Sequence, residues 1–498
     1  MLLFLYILFV IGSGIYFFLT WNYKHWEKRG IPSPEPKILC GNLQGAVFGK
    51  KHVVYDFDRI YKNYKNQYSF VGVYSLRQPQ YLITDARTAK DILITKFKSF
   101  HDNEVADMSD KKKDPILVSH PFMVKGEEWK EKRNEMTPAF TRLRIKAMYS
   151  IFQETAEHLK MALLRANGGT IDGYETCAHY AIDVVSNCIF GRDAGALSNG
   201  KSKILDMGRQ FVFSTRFLLY FMAVQFLPSL KKIYKFSAVG KDVEEFFLNE
   251  MKDAIALRLK NQNKRKDHLN YLLDLRAKKN LSDFDMVAHV VLFIVDGIDQ
   301  TGTVLTLILY QLGKNREIQN KLRKEIRETI EQHEEITFDV VQEMPYLEQV
   351  VSETLRLHPP AVFLSKICTE TCELPLNNSK MGTFEEGYSV IIPIYSIHRD
   401  PRYYEDPDKF IPERFAPEKG GTKVYRDKGA FIPFGDGPRM CIGMKFSEAM
   451  LKAAIFAVVK DLEIDVDPKT SDTLELNPVE IIPTVLGGIW LKFKEIKK

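Results

Sequence analysis

The stretch F-G-D-G-P-R-M-C-I-G, Phe434 to Gly443, sets one cysteine behind two glycines, a proline and an arginine. Glycines let a backbone turn tightly and pass close to a bulky partner. The apolar run after Gly443 reads as a strong helix, whose N-terminus favours a thiolate just before it. Cys441 is therefore placed to ionise and to ligate a metal. Arg439 adds a cation beside the thiolate or beside an anionic cofactor group. Two plainer readings compete: a buried structural cysteine, and a phosphate-binding loop. The second fails because no G-K-[ST] follows the glycines.

Three further constellations carry chemistry. Glu353 and Arg356 stand at i and i+3 in V-V-S-E-T-L-R-L-H-P-P, a surface pair by spacing alone but in a setting apolar enough for burial. Trp129 and Arg133 stand at i and i+4 in W-K-E-K-R, on one helix face that by itself is simply amphipathic. His289 to Tyr310 is long and apolar, yet carries Asp296, Asp299 and Gln300 at its centre. Each Asp there would cost ~2.5–3.5 kcal/mol in a bilayer, so a buried core helix fits better than a membrane span. Gly297 would let that helix open to a small ligand, and Asp299 could relay protons. His398-Arg399-Asp400 resembles a kinase loop but has Glu405 where the asparagine belongs. Cys368 and Cys372 form half of a zinc pattern without the other half.

The elements that must hold these residues are mostly helices. Helical periodicity covers Trp129 to Asn134, Phe152 to Ala166, Val243 to Asn261, Asp283 to Asn315 and Tyr346 to Leu357. A β-hairpin is expected from Phe70 to Thr84, broken at Gln78-Pro79, with short strands near Ser389 to Pro393 and Ile481 to Leu491. No internal repeat and no second linker is evident. The expected fold is mainly α with a minor β subdomain, in a single domain from 37 to 498.

Residues 2 to 21 carry no charge and would span ~30 Å as a helix, one membrane crossing. No A-x-A-like cleavage site follows, which argues against a signal peptide, and Lys24, His25, Lys28 and Arg29 come next, keeping the body cytosolic. The sequons at Asn280 and Asn377 would then stay unmodified. Residues 22 to 36, basic and then proline-rich, read as a stiff linker. A net charge of +6 without a basic run excludes a nucleic-acid reading. Six irregularly spaced cysteines exclude a secreted disulfide framework.

The pattern F-x-x-G-x-R-x-C-x-G, met by Phe434, Gly437, Arg439, Cys441 and Gly443, resembles the haem loop of the cytochrome P-450 superfamily of haem-thiolate monooxygenases. The likeness runs over nearly the whole chain. F-K-S-F-H-D-N near residue 100, the P-E-R-F segment and the anchor are most similar to insect microsomal members related to detoxification families. The resemblance implies haem b with Cys441 as its axial ligand, the thiolate pushing electron density onto iron. It implies that Trp129, Arg133, Arg439 and Lys366 hold the haem propionates, with Lys366 standing where arginine is usual. It implies that Arg414 of P-E-R-F completes the Glu353–Arg356 network. Against the family's G-x-[DE]-T, Gln300 replaces the threonine that orients water at dioxygen, and Thr301 or Thr303 would have to compensate. Implied partners are O2, a lipophilic substrate, NADPH-cytochrome reductase docking on Lys130, Lys132 and Lys445, and cytochrome b5. The implied location is the cytosolic face of the endoplasmic reticulum, with residues 211 to 226 as a mobile lid dipping toward the membrane. Two rivals remain: a haem-thiolate isomerase or dehydratase, which would tolerate Gln300, and a non-catalytic haem or lipophile carrier.

Overall fold

Ser282 starts the helix that organises the chain. Its hydroxyl caps the Asp285 N–H and the Asp285 carboxylate accepts from the Ser282 N–H, a reciprocal box that satisfies two orphan donors. The helix then runs unbroken over Asp283–Lys314, 32 residues. It is buried along most of its apolar stretch, as a core helix and not a second membrane span should be. Gly302 lets it lie directly against Gly173–Phe190, where a Cβ would come within 3.0 Å of the Ala178 backbone. The helix Met444–Asp461, which follows the cysteine loop, packs on Tyr149–Arg165 and on this central helix.

These features come from a computed structural model, which describes residues 1–107, 110, 112–211, 215–234, 237, 239–261, 265–480 and 482–496. The expected helices form at Gly126–Met136, Tyr149–Arg165, Lys241–Asn261, Asp283–Lys314 and Pro345–Leu357. The hairpin also forms, Phe70 pairing with Ile83 and Ser75 with Gln78, but its turn lies at Leu76-Arg77. Leu76 takes φ +55, and Gln78 and Pro79 already belong to the second strand. That strand pairs in parallel with Ser389–Ile392, which pairs antiparallel with Leu364–Ile367. The last strand is Trp490–Glu495 instead of 481 to 491, since Gly487 and Gly488 at positive φ interrupt the chain before it.

The reading of 22–36 as a linker needs correction. Trp26 is fully buried: its indole N–H donates to the Val73 carbonyl at 3.1 Å, and its ring stands edge-on to Tyr81. Gly72 leaves the room, because a Cβ there would sit 2.2 Å from the indole. Tyr23 and Pro32 also bond to the body. Tryptophan buries too much apolar area to stay in a free tether. The apolar helix Leu2–Thr20 before it is exposed over most of its length and meets the body at its end near Arg77, whose guanidinium lies over Phe18 and Trp21. The segment 211 to 226 lies partly outside the described residues; Thr215–Phe226 is helical, and Leu219 and Leu227 beside it are exposed.

Candidate active site

The Cys441 side chain is exposed although protein surrounds it on nearly every side, as a side chain lining an internal hollow must be. Gly437, at φ +69, brings its loop against Leu93, where any Cβ would collide with a carbonyl at 2.0 Å. The Cys441 N–H returns to the Phe434 carbonyl at 2.9 Å, closing the loop below the cysteine, and Gly443 caps the following helix. Burial pushes the thiol up to about 11, against the Gly443 N–H; Asp296 across the hollow raises it further and Arg133 lowers it. Helix position alone therefore does not ionise Cys441. A bound cation would, because a coordinating thiol is deprotonated by the metal charge.

At one end of the hollow the expected cations come together. The Arg439 guanidinium lies 4.3 Å from the Trp129 ring centroid and donates to the Pro121 and Val124 carbonyls and, at 3.2 Å, to Asp102. Its Nε has no partner among the described residues. Burial lowers Arg439 to about 10, partly offset by Asp102. Burial, and then Arg439, lowers Lys366 to about 7, while Lys366 donates to Asn103 at 2.8 Å. Arg133 is also lowered by burial, with Cys441 opposing. Against the one carboxylate of Asp102 stand the guanidinium groups of Arg439 and Arg133 and the partly protonated amine of Lys366, a net positive surplus in a half-dry pocket. That surplus, the orphan Nε and the glycine-lined cysteine fit a flat dianionic group such as protoporphyrin with two propionates. Asp102 and Asn103 were not singled out from sequence, although F-K-S-F-H-D-N contains both.

Beneath the loop lies a charged brace. Glu353 and Arg356 are fully buried; Arg356 donates to both carboxylate oxygens at 2.7 and 2.9 Å. Arg414 adds a bond to Glu353 at 3.1 Å, and the Ile411 N–H another at 2.8 Å. Arg356 spends its remaining donors on the carbonyls of His398, Pro407 and Lys409. The surface-pair reading is excluded. His398 carries the brace to the loop: Nε2 accepts from the Ile432 N–H at 2.9 Å, so Nδ1 holds the proton and faces the Arg356 carbonyl at 3.1 Å. Burial first, then Arg356, lowers His398 to about 3 and keeps it neutral.

A match to the cytochrome P450 family model covers residues 31–486. The chain is a cytochrome P450. Among curated relatives it is 38% identical to probable cytochrome P450 28d1 of Drosophila melanogaster, over 99% of this chain and 98% of that protein. It is 37% identical to probable cytochrome P450 28a5 of the same organism, over 98% of both chains, and 32% identical to its cytochrome P450 6a2 over the full length of both. The family is a haem-thiolate monooxygenase family with a cysteine-ligated iron protoporphyrin, on a mostly helical fold with small sheets.

On the far side of the hollow, this P450 departs from expectation. Asp299 is not free: the Arg209 Nε donates to it at 3.2 Å, and Arg209 also holds Glu175 at 2.9 Å. The helix stays continuous through Gly297. Thr301, buried, lies ~140° around the helix from Asp296, whereas Gln300 and Thr303 share the Asp296 side. The Thr303 hydroxyl is buried without a partner among the described residues, so Thr303 suits compensation better than Thr301 does.

Proposed function

We infer that this P450 is a membrane-anchored monooxygenase of lipophilic substrates, with Cys441 as its axial ligand. The observation that carries the assignment is the opening of Cys441 onto a hollow whose rim gathers Arg133, Lys366 and Arg439. Haem bound there supplies dioxygen activation. The chain's own residues do the rest. Trp129 stacks on Arg439 and fixes its fork; Phe434 and Gly437 shape the loop; Gly443 leaves its N–H for the sulfur. Glu353, Arg356 and Arg414 keep the loop rigid through His398. Gln300 can orient water on the distal side but is a poor proton donor.

The apolar helix Leu2–Thr20, with exposed Ile38, Leu39 and Phe48 and the Leu219 and Leu227 region, supports attachment to the endoplasmic reticulum with the body cytosolic. Electrons would come from NADPH through a separate reductase, with cytochrome b5 as a second donor. The docking face around Lys130, Lys132 and Lys445 is locally paired, to Glu127, Glu135 and Glu448, so its long-range pull is modest. The isomerase reading rests on Gln300 alone. The test is oxygen consumption by the purified holoprotein with reductase in vesicles, using a panel of lipophiles. Reductase-dependent product carrying one atom of labelled O2 supports the monooxygenase; rearrangement of an organic hydroperoxide without reductase supports the isomerase instead.

A further inference from the structure

The distal side lacks a hydroxyl where one is expected and carries an acid where none is needed for packing. Asp296 sits in the middle of the largely buried central helix, yet its side chain is 53% exposed. A carboxylate at that place in a core helix avoids the cost of burying a charge only because it opens onto space that water or another polar group can enter. One helical turn on, Gln300 shares its face. Asp299 points ~60° to the other side and is held there by Arg209.

A second group approaches Asp296 from the loop that builds the cation cluster. The Nε2 of His120 lies 3.1 Å from Asp296 Oδ2, in a side chain only 9% exposed. Its Nδ1 accepts the Phe122 N–H at 3.0 Å, so in the neutral ring the proton sits on Nε2 and faces the carboxylate. The approach is off the line of a hydrogen bond, so the ring packs beside the carboxylate and limits its rotation without tying up its oxygens. The His120 carbonyl takes the Met123 and Val124 N–H groups, and the Val124 carbonyl takes Arg439. The ring is thus anchored on the frame that positions the cofactor.

We propose that Asp296 is the catalytic group that passes protons to dioxygen in this P450, taking the place left by Gln300, and that His120 is the positioning residue that keeps its carboxylate aimed at the hollow. The assignment rests on the monooxygenase reading. In each delivery an O–H bond of the Asp296 carboxyl breaks and an O–H bond forms on the oxygen atom that leaves as water; solvent water reprotonates the carboxylate. Two such protons, with two electrons from NADPH through the reductase, balance insertion of the other oxygen atom into a C–H bond.

The experiment compares wild-type holoprotein with Asp296→Asn, Asp296→Ala, His120→Phe and the double variant Asp296→Asn with Gln300→Thr. Product rate, product per NADPH and peroxide release are measured, together with the C–O stretching frequency of the reduced carbon-monoxide complex, which reads distal electrostatics without turnover. Asp296→Asn should load haem as wild type does, lose product on the order of 100-fold, the scale of general-acid catalysis, release more peroxide and shift the C–O stretch. Gln300→Thr should recover about tenfold of that loss, and His120→Phe should lower coupling by less than Asp296→Asn does. An unmoved C–O stretch in both Asp296 variants overturns the assignment. So does unchanged coupling with selective loss of affinity for amine-bearing ligands, which would make Asp296 a substrate anchor. A wild type that inserts no oxygen overturns the monooxygenase reading itself, whereas a coupled wild type beside an equally coupled Asp296→Asn overturns this assignment alone.

Discussion

Replacing Glu353 by glutamine removes one charge from a place water does not reach. The carboxylate takes four donors: Arg356 Nε and Nη2, Arg414 Nε and the Ile411 N–H. Glutamine keeps the shape but offers one acceptor oxygen and turns an amide toward two guanidinium groups, 0% and 7% exposed. Breaking a buried pair this way costs roughly 3–5 kcal/mol, a large part of the ~5–15 kcal/mol that holds a domain together. His398 links the brace to Ile432, so the damage should reach the cysteine loop. The assay is haem-loaded yield, with the half-life of the reduced carbon-monoxide band at raised temperature as the kinetic readout. Arg142→Ala is the control, because its pair with Asp339 is solvent-exposed and such pairs contribute ~0–1 kcal/mol. Glu353→Gln should lose most loaded protein while Arg142→Ala stays near wild type. Equal behaviour of the two would refute the claim that burial makes this brace matter.

Trp26→Ala should cost ~3–5 kcal/mol, and a cut after residue 30 should fail to load haem while a cut after residue 20 succeeds; equal loading would show that the Trp26 contacts are dispensable. His268, His358 and His398 are each held to about 3, chiefly by burial, against 6.5 when unfolded. Their folded values are depressed, so the unfolded chain takes the protons first as pH falls. Stability is full above pH 6.5 and is lost toward pH 3, by up to ~1.4 kcal/mol per unit for each ring. His268→Phe, at a ring tilted against Phe293 and without a hydrogen-bond partner among the described residues, should flatten the acid slope of urea unfolding by about one proton; an unchanged slope would show that His268 is not buried neutral. Gln300→Thr in an otherwise wild-type chain should leave product per NADPH nearly unchanged, since Asp296 already fills the role; a loss in Thr303→Ala as large as that in Asp296→Asn would assign the compensation to Thr303 instead.

Local order made part of this site readable. The cysteine loop, the Glu353–Arg356 pair and the Trp129–Arg133 face each lie within a few residues, and their chemistry follows from spacing. Trp26 does not announce its burial, because the cavity that receives it is made by a missing side chain at Gly72, far along the chain. Asp102 acts only once the fold brings Arg439 to it. Asp299 looked like the free acid of the central helix, and the partner that ties it down, Arg209, lies 90 residues away. Asp296 was visible only as an awkward charge in an apolar run. Which of two acids on one helix faces a cavity is settled by the neighbours of that helix.

The most direct measurement is the reduced, carbon-monoxide difference spectrum of the full-length protein beside Cys441→His. Thiolate ligation by Cys441 predicts the long-wavelength Soret band of a thiolate-bound haem in the wild type, and its replacement by the shorter-wavelength band of an imidazole-bound haem in the variant. The same long-wavelength band in both proteins would contradict it, and another residue would have to hold the iron.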